Sequence, residues 1–87
     1  MNMGDFKRAV WDVLKGSERG LLTRDVVITV MGRCNVPQKP EVASNILTDI
    51  SSLTVWGFVQ REGRAEQEHL LLTDKGRRVQ AEVFEIA

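Results

Sequence analysis

The sequence predicts a small α+β domain, mostly helical with one β-hairpin, in the order α-β-α-α-β-β-α. Three observations predict it. Apolar residues recur at helical spacing in several separate stretches. A late stretch, GFVQREGRAEQEHLLLTDKGR over residues 57–77, reads as strand, polar tip, strand and helix start. The chain has 87 residues, enough for one domain, with little spare material for a deep enzyme pocket.

The first helix rests on Phe6, Val10, Val13 and Leu14, at i, i+4, i+7 and i+8, with Ala9 on the same side. Asp5 suits its start and Gly16 its end. Trp11 lies at the edge of that face, which predicts partial exposure. Leu21 and Leu22 form a short extended piece. Thr23 suits the N-cap of a second helix over about residues 24–31, with Gly32 beyond its end. The run Val26, Val27, Ile28, Thr29 and Val30 is β-branched and also suits a strand; the flanking cap and glycine decide for helix. Residues 33–39 read as a loop that contains Cys34. Pro40 fits the first position of a third helix, in which Val42, Ala43, Ile46, Leu47, Ile50 and Leu53 form the inward face. Gly57 fits the left-handed position after it. Residues 58–62 and 67–72 are the strands of the hairpin. Thr73 caps a fourth helix with Val79, Val83 and Ile86 along one side.

This order resembles a winged helix-turn-helix domain. Ile46, Ile50 and Leu53 precede Gly57, Phe58 and Val59 at a spacing similar to that of MarR-like and PadR-like regulators. LTDKGR, residues 72–77, is similar to the segment that follows the wing in those families, and GLLTRDV, residues 20–26, to the strand that leads into their second helix. The likeness covers nearly the whole chain. One departure is the connection over residues 32–39, longer than a tight helix-turn-helix joint.

The resemblance implies a third helix that enters the DNA major groove. Its outward residues would be Glu41, Ser44, Asn45, Thr48 and Asp49, with Gln38 and Lys39 just before. Asn45 and Gln38 suit adenine edges, and Ser44 and Thr48 suit bases or phosphates. The same residues also suit the solvated side of any amphipathic helix, and the face holds two acids and no arginine. Arg61 and Arg64 flank the wing tip and suit phosphates or the minor groove, beside Glu62, Glu66 and Glu68. Arg24, Arg33 and Lys39 suit phosphates near the helix ends. The expected partner is double-stranded DNA. A homodimer through the apolar last helix would present two reading helices. The alternative is a protein-interaction module of the same fold.

Composition bounds the rest. Net charge is zero, which argues against a strongly basic, non-specific nucleic-acid binder. Residues 1–33 carry six basic groups against four acidic ones, and residues 34–60 only Lys39 against Glu41 and Asp49. No apolar run approaches membrane-spanning length, and residues 1–5 lack the pattern of a signal peptide, so a cytoplasmic location is expected. Cys34 is the only cysteine, which excludes an internal disulfide. His69 reads as a strand-pairing residue. No catalytic constellation, metal site or cofactor motif is expected.

Overall fold

The structure is a computed structural model and describes residues 6–84. Four helices, α1 (Lys7–Lys15), α2 (Thr23–Cys34), α3 (Pro40–Val55) and α4 (Asp74–Arg78), pack with a three-stranded sheet of β1 (Leu21–Leu22), β2 (Val59–Glu62) and β3 (His69–Leu72). Short 3₁₀ turns occupy Ala65–Gln67 and Ala81–Phe84. The molecule is mostly helical, and its sheet is antiparallel in the order β1-β3-β2. The element order is the one expected.

α1 buries Phe6, Val10, Val13 and Leu14, as the spacing predicts. Its suggested cap, Asp5, lies outside the described residues. Trp11 departs from expectation: it is 3% exposed. The indole Nε1 donates to the Gly76 carbonyl at 2.8 Å, and Phe84 packs on the ring at 5.3 Å between centroids. The C-terminal segment therefore covers the tryptophan and satisfies its only polar atom.

α2 is longer than its sequence signals. Thr23 is not the cap but the first helical residue, following Leu22. Its N–H donates to the Glu68 carbonyl at 2.9 Å, which ties the helix start to the hairpin. Val26, Val27 and Val30 are buried, and burial overrides their β preference. The helix runs through Gly32 and takes in Cys34; it ends at Asn35, which adopts φ 53°. Asparagine tolerates this left-handed position better than most residues. The connection to α3 is thus residues 35–39.

α3 begins with Pro40 at its first turn, and Gly57 follows it at φ 82°. Val42, Ile46, Ile50 and Leu53 are buried at its centre. Asp49 was expected outward and is buried at 5% exposure. Its carboxylate accepts the Phe6 N–H at 2.7 Å and the Lys7 ammonium at 2.8 Å, so it caps α1 from a distance. Leu47 was expected inward and is exposed.

In the hairpin, Arg61 pairs with Leu70 and Glu62 with His69. The second strand starts later than expected. Glu66 sits in the 3₁₀ turn, and Glu68 precedes β3 rather than alternating on a strand. Thr73 caps α4 by accepting the Gly76 N–H at 3.0 Å. The long last helix does not form among the described residues: α4 stops at Arg78, and Val79 is extended with ψ 142°. Val79 and Val83 therefore do not share a helix face, and Ile86 lies outside the described residues.

Candidate nucleic-acid interface

α3 keeps one polar side. Glu41, Ser44, Asn45 and Thr48 are all exposed along it. Two of its hydroxyls turn back onto the helix: Thr48 Oγ1 donates to the Ser44 carbonyl at 3.0 Å, and Ser52 Oγ to that of Thr48 at 3.3 Å. Thr48 retains its lone pairs for an incoming donor. Asn45 makes no side-chain hydrogen bond to the described residues, so its amide is available. Asp49 is withdrawn into the core, which leaves Glu41 as the one acid on this side of α3.

The hairpin is tied to α3 through Arg61 and Ser51. Gly63 at φ 90° and Ala65 at φ 50° bracket the exposed Arg64. Gly63 is required there, because a Cβ would lie 2.6 Å from the Gln67 carbonyl oxygen. Arg61 is differently placed. Its guanidinium bonds Glu68 at 2.8 Å and Ser51 of α3 at 3.0 Å, so it fastens the hairpin to α3 and must break both contacts to reach a phosphate.

Arg24, Arg33, Lys39 and Arg64 are exposed and make no ion pair with the described residues. They do not form one strip. Arg24 and Arg33 are nine residues apart on α2, about 180° around its axis, so they point to opposite sides. Arg33 also lies in the last turn of α2, where the helix end is negative rather than positive. Arg24, Gln38 and Lys39 all line one groove of about 650 Å³ between α2 and α3, Arg24 toward the hairpin and Lys39 beside the α2–α3 connection. The groove continues to Glu66 and Glu68 at the hairpin.

The floor of this groove is apolar and was not anticipated. Val27, Ile28 and Met31 come from α2, and Ala43 and Leu47 from α3. Ile28 is 54% and Leu47 41% exposed. The β-branched run hid Ile28, and helical spacing put Leu47 with the core. A clue lay in the width of the α3 apolar stripe, wider than one buried face needs.

Cys34 is half-buried at the end of α2, against the core. Burial raises its thiol above the usual range, which disfavours the thiolate. His69 is half-buried in β3, paired with Leu22 and Glu62. No group of three or more metal-ligating side chains occurs among the described residues. None of their helices is long and apolar enough to cross a membrane. The chain matches no protein-family model, no curated protein and no solved structure.

Proposed function

We propose that the chain is a winged helix-turn-helix protein that binds double-stranded DNA, as a transcriptional regulator. One observation carries the reading: α3 keeps an exposed polar side with Asn45 available on it, and Arg61 fastens to the same helix a hairpin whose tip carries the exposed Arg64. In this reading α3 enters the major groove, Asn45 hydrogen-bonds a base edge, and Ser44 and Thr48 contact bases or backbone. Lys39 and Arg24 hold phosphates at the groove that joins the two helices, and Arg64 reaches the backbone or minor groove. Arg61 positions the hairpin.

Quantitative binding to a selected duplex tests this. Arg64→Ala should weaken binding on all sequences and flatten the salt dependence by about one unit of slope. Asn45→Ala should instead lose about 1–3 kcal/mol of discrimination at one base position. If no duplex is bound at low salt, and none emerges from selection on random duplexes, the DNA reading fails.

A second reading, a protein-interaction module without DNA contact, is favoured by the apolar groove. Exposed Ile28 and Leu47 on adjacent helices are what a protein partner covers.

A further inference from the structure

We propose that Ser51 and Glu68 are positioning residues: through Arg61 they fix the hairpin against α3, so that Arg64 and the polar side of α3 engage DNA as one rigid unit. The role rests on DNA binding as proposed above; neither residue is given a contact with DNA there. Glu68 is where three elements meet. Its carboxylate holds the guanidinium of Arg61, on β2, at 2.8 Å. Its carbonyl accepts the Thr23 N–H, at the start of α2, at 2.9 Å. The other terminal nitrogen of Arg61 donates to Ser51 Oγ on α3 at 3.0 Å. One planar, forked guanidinium thus spans from the base of the hairpin to α3, a geometry that a compact ammonium does not offer.

Ser51 lies seven residues after Ser44 and three after Thr48, so the three share one stripe of α3, and all are exposed. Arg61 therefore meets the helix on the side that carries candidate reading residues. Between the two anchors the hairpin closes on itself. The Gln67 N–H donates to the Arg64 carbonyl at 2.9 Å, and the Glu68 N–H to the Ala65 carbonyl at 3.2 Å. No slack segment separates the anchors from the tip, so the place of Arg64 follows that of Arg61 and Glu68. A hairpin ordered before DNA arrives has less conformational freedom to lose on binding.

Relaxation measurements by NMR and DNA titration, both on the full chain, test the proposal. In the free protein, backbone order parameters over residues 63–67 should be about 0.8 in wild type and fall to about 0.6 in Ser51→Ala and in Arg61→Lys. Ser51→Thr, which keeps the hydroxyl, should restore the wild-type values. The thermal midpoint of Ser51→Ala should hold, because Ser51 is exposed. On a selected duplex, Ser51→Ala should weaken binding about fivefold. Arg64→Ala should then weaken it further by a factor about threefold smaller than in wild type. A Ser51 that merely touched DNA would leave the Arg64 effect unchanged. Order parameters indifferent to Ser51→Ala, or effects of Ser51→Ala and Arg64→Ala that multiply independently, each overturns the proposal. A wild type that binds no duplex removes the DNA role, whereas unchanged order parameters remove the positioning itself, so the two failures are told apart.

Discussion

Asp49 joins two distant parts of the chain through one carboxylate. It takes the N–H of Phe6, the residue at the N-cap of α1, and the Lys7 ammonium, from a position on α3 more than forty residues away. Asp49→Ala would leave the Phe6 N–H buried without a partner, so it should cost about 1–3 kcal/mol. Urea denaturation measures it; an unchanged midpoint would mean that water replaces the carboxylate. This role was not legible in the sequence, where Asp49 looks like one more polar residue of α3. Nothing local marks an acid that caps a different helix. Cys34 makes the opposite case: burial can be guessed for a lone cysteine, but its consequence needs the structure. With its thiol raised by burial, the reactive thiolate is scarce at neutral pH. Alkylation by iodoacetamide should be slower than for free cysteine between about pH 7 and 9, rise with pH, and lose this protection on unfolding. Native Cys34 reacting as fast as the free amino acid would show that the site opens readily.

Elements were legible where local signals and tertiary packing agree. α1, the centre of α3 and the hairpin fall where periodicity puts them, because each buries one continuous face. The misplacements sit at the ends. α2 passes its glycine and ends where Asn35 provides the left-handed stop. The C-terminal segment is the larger departure. Val79, Val83 and Ile86 have helical spacing, yet α4 stops early and Phe84 turns in to lie between Trp11 and Phe58. Docking of aromatic rings decides this, and no spacing rule contains it. Gly76 holds the arrangement in place. A Cβ there would collide with the Phe58 carbonyl, and its own carbonyl receives the Trp11 indole. Gly76→Ala should therefore destabilise by about 1–3 kcal/mol, although alanine is the better helix former. A denaturation midpoint above that of wild type would show that propensity, not contact, limits α4.

For the whole molecule, zero net charge is the fact that any DNA reading must meet. Long-range attraction is weak, so affinity has to come from a few placed cations and from base contacts. The structure narrows those cations. Arg61 is committed to Glu68 and Ser51, and Arg33 faces away from Arg24. Lys75 is held by the Trp56 carbonyl, and its ammonium lies over the Phe58 ring. Arg24, Lys39 and Arg64 remain exposed, with no ion pair among the described residues. Three phosphate contacts release about three counterions' worth of salt dependence, a slope of about −3 in log affinity against log salt for one chain. Lys39→Ala and Arg24→Ala should each remove about one unit from it, as Arg64→Ala does, whereas Arg33→Ala should leave it unchanged. Titrating one labelled duplex at several salt concentrations measures all of these. Two chains bound per duplex would double the slope, so the stoichiometry is measured alongside. A slope well beyond −3 per chain, or one that Arg33→Ala flattens, would mean that DNA lies across a different face of α2. The reading helix would then have to be sought elsewhere than in α3.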